Sequence, residues 1–193
     1  RRDPALREAW GLAPGALAVI HIGRVAAEKN LDLAIRAFRA LQQTQPDARM
    51  VFVGDGPLRA PLQRAHPDIL FVGTRRGRDL ARHLASADLF LFPSRSETFG
   101  NVVLEAMASG LPVVAYDYAC ANLHVKQDET GWLSPLGDVA GIMRSIYQLP
   151  SAKVLRQMGK KARESTQHIG WQYPIQQFEQ ALYRVVQESH MTT

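Results

Sequence analysis

Short apolar runs alternate with polar loops and amphipathic segments along most of this chain. The run at residues 17–22 (LAVIHI) is nearly continuous, which is typical of a strand buried on both faces of a parallel sheet. Runs of this kind predict six strands, at about residues 17–22, 49–53, 69–72, 88–92, 112–116 and 131–134. Glycine, proline and polar residues follow most of these runs and predict loops there.

Between the strands, apolar residues recur at spacings of three and four, as in helices with one buried face. This spacing predicts helices over about residues 31–43, 58–65, 79–85, 101–109, 139–149, 151–168 and 173–187, preceded by a charged turn or short helix over residues 1–10. The alternation of strands and helices predicts an α/β fold. We expect one Rossmann-like, doubly wound parallel sheet of about six strands, with helices on both faces.

Two carboxylates lie in the stretch that predicts a strand, a polar loop, a helix and a further strand over residues 88–116. Glu97 lies in the loop, and Glu105 lies about one turn into the helix among apolar neighbours. The amides of Gly100, Asn101 and Val102 would be unpaired at the helix start and would suit an anion. Spacing alone leaves two interpretations open: a ligand site at the carboxyl edge of the sheet, or a solvated loop residue and a helix-surface residue.

The segment SRSETFGNVVLEAMASGLPVVA at residues 94–115 resembles the E-x7-E motif of retaining GT-B glycosyltransferases, in particular the large nucleotide-sugar-dependent family 4. The likeness includes the flanks of the motif and continues over roughly residues 15–140. It implies that residues 1–193 form a single donor-binding domain, the carboxyl-terminal half of a GT-B fold. The acceptor-binding amino-terminal domain would then be absent from this chain, which begins RRDP without a methionine.

The loop after the first strand matches the G-R-x-x-x-x-K pattern of this family at Gly23, Arg24 and Lys29. Cations at this edge of the sheet would lie beside the ligand crevice, where arginine offers a planar fork for phosphate oxygens and lysine a compact charge. Without the rest of the pattern, they could be two solvated loop cations. The resemblance implies that both bind the diphosphate of the donor. The turn at residues 54–57 (GDGP) is a further hallmark, with an expected structural role.

Two loops leave questions open. The resemblance implies that the loop at residues 73–77 packs against the nucleotide base, with Thr74 and Arg75 in it and Leu80 as an apolar wall. Many relatives carry an apolar residue where Arg75 stands, so the identity of the nucleotide base stays undetermined. Most relatives also have a glycine pair near Ala119 and Cys120. Either this loop needs no positive φ here, or the surroundings of the donor sugar differ.

The resemblance implies transfer of a hexosyl unit from a nucleoside-diphosphate sugar to a hydroxyl of a glycan or lipid-linked acceptor, with retention of configuration. Glu97, Arg24 and Lys29 are the expected catalytic residues, with Glu97 on the sugar hydroxyls and the cations on the departing diphosphate. Glu105 is expected on the ribose. The other expected substrate-binding residues are Gly23, Thr74, Arg75, Leu80, Phe99, Gly100, Asn101 and Val102. We expect no metal or cofactor, and no transfer by this chain alone.

Composition narrows the class of protein further. The chain has a net charge of +5 and one cysteine, Cys120, which excludes an internal disulfide framework and fits a reducing compartment such as the cytoplasm. A basic cluster at residues 75–82 comes with no nucleic-acid motif. The positive balance instead suits a diphosphate cleft or peripheral contact with the inner membrane surface. Two alternatives stay open: a GT-B sugar-nucleotide epimerase, and a nucleotide-binding module without catalysis.

Overall fold

The computed structural model describes residues 2–97, 100–167 and 169. Its six strands form one parallel sheet in the order β3-β2-β1-β4-β5-β6. The strands are β1 (Ala18–Ile22), β2 (Arg49–Val53), β3 (Leu70–Gly73), β4 (Leu89–Phe92), β5 (Val113–Tyr116) and β6 (Gly131–Ser134). The predicted Rossmann-like sheet is therefore confirmed, with each strand within about two residues of its predicted bounds.

Helices connect consecutive strands, as parallel pairing requires. They are α1 (Pro4–Ala9), α2 (Leu31–Thr44), α3 (Arg59–Ala65), α4 (Gly77–Ser86), α5 (Val102–Ala108), α6 (Ala119–His124), α7 (Val139–Tyr147) and α8 (Ala152–Thr166), with a 3-10 turn at Ala27–Lys29. The sequence pattern does not predict α6, because six residues are too few to show a helical period. The helix predicted at residues 173–187 lies outside the described residues.

Apolar layers cover both faces of the sheet. One layer packs residues of α2 and α7 on the strands, and the other packs residues of α4, α5 and α6 on the opposite face. Helix α8 contributes to both layers, with Leu155 and Met158 in the first and Ala162 in the second. Along β1, Val19 belongs to the first layer, whereas its neighbours Ala18 and Ile20 belong to the second. Burial on both faces explains why the strands read as continuous apolar runs. Among the described residues, no helix is long and apolar enough to span a membrane.

The strand order reverses between β1 and β4, and this reversal positions the site. β1 pairs with β2 on one side and with β4 on the other. The loops that follow β1 and β4 therefore leave the carboxyl edge next to each other and diverge to opposite faces of the sheet. Open α/β sheets bind ligands in the crevice that such a divergence creates.

Candidate functional site

A cleft of about 830 Å³ opens at this crevice, between the loops after β1 and β4. The predicted site residues on its walls are Gly23, Arg24, Lys29, Glu97, Gly100, Asn101, Val102 and Glu105. The fold thus brings together two groups of residues that are about 70 positions apart in the sequence. Phe99, which was predicted to belong to the same site, lies outside the described residues.

Lys29 and Glu97 form an ion pair across the cleft. Their side chains are only 15% and 13% exposed, so the solvent screens this attraction less than it would at the surface. The Lys29 ammonium group also donates a hydrogen bond to the carbonyl oxygen of Ser96, at 2.9 Å. An ammonium group has three N–H donors, and these contacts within the described residues occupy two of them. Lys29 can therefore hold the loop after β4 and still donate to a ligand.

Arg24 also lies on the cleft wall, but it is more exposed and more weakly paired than Lys29. Its side chain is 65% exposed, and its Nη1 lies 3.4 Å from the carboxylate of Glu28, four residues along the chain. A surface pair of this kind contributes at most about 1 kcal/mol. The guanidinium group can therefore exchange Glu28 for an anionic ligand at little cost.

The GDGP turn after β2 packs directly on the loop that follows β1. A Cβ atom added to Gly54 would overlap the carbonyl oxygen of Gly23, and one added to Gly56 would overlap that of Val25. The Val25 amide donates to the carbonyl oxygen of Asp55 at 2.9 Å. The two glycines are therefore needed for a close approach of two backbones, and this approach sets the position of the loop that carries Arg24.

Glu105 lies in the first turn of α5 and faces the same cleft. Desolvation raises the pKa of its carboxyl group above the ordinary value. Glu97 has a cationic partner, whereas the salt bridges found among the described residues do not include Glu105. The two glutamates of the predicted motif are therefore electrostatically distinct.

A second cavity, of about 220 Å³, adjoins the cleft and shares Gly23 and Arg24 with it. Thr74 and Arg75 line this cavity as predicted residues, together with residues of the GDGP turn. Arg75 also pairs with Asp79 at 3.4 Å. Leu80 is not on the described wall of either cavity and instead packs against the hydrophobic core.

The loop after β5 corrects one sequence-based alternative. Ala119 has a φ of +50°, which rules out the first of the two alternatives, that this loop needs no positive φ. An alanine adopts here the left-handed conformation that glycine adopts without a steric penalty. Gly100, with a φ of +84°, lies opposite this loop, and a Cβ atom there would be 3.6 Å from the Cβ atom of Cys120. The two loops are thus packed together beside Glu97.

The sequence reasoning missed two polar side chains at this site. His21 is fully buried under the cleft, its Nδ1 lies 3.0 Å from the carbonyl oxygen of Leu91, and its Nε2 is left without a partner among the described residues. Burial lowers the pKa of His21 to about 4. Burial and the negative charge of Glu97 raise the pKa of Tyr118, which lines a small void next to that carboxylate. The signal for His21 in the sequence was a histidine inside an apolar strand.

The described residues contain no group of three or more histidine, cysteine, aspartate or glutamate side chains that could hold a metal ion. The charged groups that line the cleft are instead two cations, Arg24 and Lys29, and three carboxylates, Glu28, Glu97 and Glu105. Together with backbone amides, such groups can bind an anion and the hydroxyl groups attached to it.

Residues 16–151 match the protein family described as glycosyl transferases group 1. The sulfoquinovosyl transferase SQD2 of Arabidopsis thaliana is 39% identical over 159 residues, which cover 79% of this chain and 30% of that protein. A GDP-mannose-dependent alpha-mannosyltransferase of Mycobacterium tuberculosis is 40% identical over 139 residues, covering 71% of this chain and 35% of that protein. The chain thus spans about a third of the length of these two relatives.

Solved structures with the same fold include the C-terminal domain of the group 1 family protein LpcC from Francisella tularensis, with a TM-score of 0.72 and 19% identity. The match covers 86% of this chain and 92% of that domain. HepE from Anabaena, solved in complex with UDP-glucose, matches with a TM-score of 0.74 and 24% identity, over 94% of this chain and 53% of that one. The chain belongs to the group 1 glycosyl transferases, family 4 of the GT-B enzymes, and has the fold of one half of a GT-B enzyme.

Proposed function

We propose that this chain is the donor-binding domain of a retaining glycosyltransferase that transfers a hexosyl unit from a nucleoside-diphosphate sugar to a hydroxyl of a glycan or glycolipid. The observation that carries the proposal is the convergence of Arg24, Lys29, Glu97 and Glu105 on one cleft at the reversal point of the sheet. Two relatives support the choice of donor, since one is a GDP-mannose-dependent mannosyltransferase and HepE was solved with UDP-glucose.

The arrangement of charges fits the bond that must break. When the bond between the anomeric carbon and the diphosphate oxygen breaks, its electron pair leaves with the diphosphate, and positive charge develops on the sugar. Arg24 and the N–H donor of Lys29 that the described residues leave unused would stabilise the leaving group, because preorganised donors are most effective where charge develops. Glu97 would bind the sugar hydroxyls, at a fixed position because Lys29 already holds its carboxylate.

The remaining groups would bind the rest of the donor. Glu105 is expected to accept hydrogen bonds from the ribose hydroxyls. It lies on α5, whereas Glu97 lies in the loop before this helix, and both residues line the same cleft. The adjoining cavity with Thr74 and Arg75 would take the base. Attack by the acceptor hydroxyl would require groups that face this cleft from the amino-terminal half of a GT-B enzyme.

Calorimetry of the chain with UDP, GDP and ADP, and then with their sugar conjugates, tests the proposal. At least one diphosphate should bind, and Arg24→Ala should weaken its binding by about 1.5–3 kcal/mol, the contribution of hydrogen bonds between charged groups. The affinity for the corresponding nucleoside, which has no phosphates, should change little. Arg36→Ala, which removes an exposed arginine of α2, is the control and should bind as the wild type does. If none of the three diphosphates binds, the proposal is wrong. Diphosphate binding without any preference for a sugar conjugate would favour a non-catalytic nucleotide-binding module.

A further inference from the structure

Much of the excess positive charge of the chain lies on one helix. The net charge of the chain is +5, and α8 alone carries five cations and one carboxylate. Lys153, Arg156, Lys160 and Arg163 succeed one another at spacings of three, four and three residues. Such spacings place side chains on one side of a helix. We call these four residues the basic stripe.

The cations of the stripe differ from those elsewhere in the fold. All four are exposed, and among the described residues only Lys160 has a carboxylate within 4 Å, Glu164 at 3.7 Å. By contrast, the basic cluster that the sequence indicates at residues 75–82 is partly neutralised, since Arg75 pairs with Asp79 and Arg82 with Asp3. The stripe is therefore the main excess of uncompensated cations that the described structure presents.

The fold holds this helix rigidly in place. Leu155, Met158 and Ala162 are buried against the domain, so the apolar face of α8 is not available to insert into anything. A Cβ atom added to Gly159 would overlap the carbonyl oxygen of Gly110, which shows how closely α8 approaches the backbone after α5. Any partner of the basic stripe must therefore bind through charge, at cations whose backbone positions are fixed.

A cleft of about 350 Å³ runs beside the stripe, at the amino edge of the sheet and opposite the proposed donor-binding cleft between the loops after β1 and β4. The cations on its walls are Arg2, Arg156, Lys160 and Arg163, and Asp88 is the one carboxylate among its described lining residues. Asp88 is already occupied, because it accepts hydrogen bonds from Arg7 at 2.9 Å and from the Ala18 amide at 2.8 Å and also pairs with Arg2. The electrostatic field of this surface therefore favours anions.

The length of the stripe indicates the kind of anion. Ten residues of helix extend about 15 Å, and side chains at these spacings stand about 5–6 Å apart. Over this length the four cations cannot all contact one compact anion, but each of them can contact a separate phosphate of a planar array. We propose that the basic stripe docks on the phosphate groups of an anionic lipid bilayer, by electrostatic attraction and without insertion.

Vesicle flotation of the chain tests this proposal, with vesicles of 70:30 phosphatidylcholine and phosphatidylglycerol compared with pure phosphatidylcholine. The chain should bind the anionic vesicles at low salt, lose that binding as salt screens the charges, and ignore the neutral ones. The triple variant Arg156→Gln, Lys160→Gln, Arg163→Gln should lower the partition coefficient about a hundredfold, the size expected for three cations near an anionic surface. The single variant Lys160→Glu provides a second, smaller change and should lower it at least fivefold.

The control variant removes the same amount of charge elsewhere: Arg36→Gln, Arg64→Gln, Lys126→Gln, three exposed cations outside the stripe. It should bind anionic vesicles within about twofold of wild type. If both triple variants lowered the partition coefficient equally, only the net charge would matter, and the proposal would be overturned. So would wild-type binding by the stripe variants, or no vesicle binding at all. Tighter, stripe-dependent binding of a single-stranded oligonucleotide would assign the surface to nucleic acid instead. None of these outcomes bears on the donor cleft.

Discussion

The carboxylates of Glu97 and Glu105 lie in different electrostatic surroundings within one cleft. Glu97 is 13% exposed and paired with Lys29, so its charge is held in one position. Glu105 carries a pKa that desolvation raises, and no salt bridge to it is found in the part of the chain that the structure describes. If the two glutamates acted only through their negative charge, they would be interchangeable. Their different surroundings indicate that they are not.

We expect Glu105→Gln to weaken binding of both the nucleoside diphosphate and its sugar conjugate, because ribose is present in both. Glu97→Gln should weaken only the sugar conjugate, by about 1.5–3 kcal/mol. Its binding of bare diphosphate should be no weaker than wild type, because a neutral amide competes less with phosphate for Lys29. Calorimetry with both ligands distinguishes the two roles. If Glu97→Gln weakens the bare diphosphate as much as Glu105→Gln does, the assignment is wrong.

His21 is the other residue whose state depends on its surroundings. The pKa of this fully buried imidazole is about 4, against 6.5 for the ordinary group. In the unfolded chain the imidazole takes up a proton at about pH 6.5, whereas the folded protein keeps it neutral down to about pH 4. Protonation therefore favours the unfolded state in this window, so the contribution of His21 to stability is present above pH 6.5 and is lost as the pH falls toward 4.

The loss corresponds to about 1.4 kcal/mol per pH unit in that window, or about 3 kcal/mol in total. His21→Phe, which keeps an aromatic ring beside Phe52 and Phe92, should remove this part of the pH dependence. Denaturant unfolding at pH 7 and pH 5 measures it, with His66→Gln as a control outside the core. Parallel stability curves for His21→Phe and wild type would contradict the prediction.

At the scale of elements, the GDGP turn and the loop after β1 behave as one unit. The turn approaches the loop so closely that Gly54 and Gly56 leave no room for a side chain, and a hydrogen bond of 2.9 Å from the Val25 amide joins the two. The position of Arg24 is therefore set by a turn that begins about 30 residues later in the sequence. A small shift of this turn should displace the guanidinium group relative to the rest of the cleft.

Gly56→Ala should displace the loop that carries Arg24 and lower nucleoside-diphosphate affinity about tenfold, the loss of one hydrogen bond between charged groups. Gly159→Ala is a matched control, because its Cβ atom would also overlap a backbone carbonyl, that of Gly110, but far from the cleft. Both variants should lose about 1–3 kcal/mol of stability through overpacking. Thermal melts and calorimetry on the folded fractions separate the effects. Equal affinities in the two variants would show that the turn does not position the loop.

At the scale of the whole molecule, the two edges of the sheet differ in their chemistry. Among the described lining residues, the cleft at the carboxyl edge has two cations and three carboxylates. The cleft at the amino edge has four cations and one carboxylate, which is already paired. The chain has the fold of one half of a GT-B enzyme and spans 53% of HepE and about a third of SQD2 and the mannosyltransferase. Donor binding and transfer should therefore be separable.

If residues 1–193 are the donor-binding half, as proposed, they should bind a donor sugar nucleotide and transfer no sugar to an acceptor, because orienting the acceptor hydroxyl would need groups of the other half. Mass spectrometry of reactions with the bound donor and a panel of glycan and lipid acceptors would measure transfer. A longer protein that contains this chain is the comparison. Transfer by the chain alone at a comparable rate would contradict the prediction.

The sequence by itself determined the features that depend on neighbours along the chain. Burial on both faces makes each strand a short apolar run, and one buried face gives a helix a period of 3.6 residues, so the order of elements could be read directly. The doubly wound sheet followed, since parallel strands need crossovers. The family resemblance rested on short segments such as residues 94–115 and identified residues that the fold then brought to one cleft.

Only the tertiary structure decided the features that depend on distant parts of the chain. The pairing of Lys29 with Glu97, the overlap that excludes a side chain at Gly56, and the neutral state of His21 each require packing that no local pattern encodes. The positive φ of Ala119 belongs with them, because alanine does not favour this conformation by itself and the sequence left two alternatives open there. The free energy of such contacts comes from burial and from geometry between elements, and these exist only once the chain has folded.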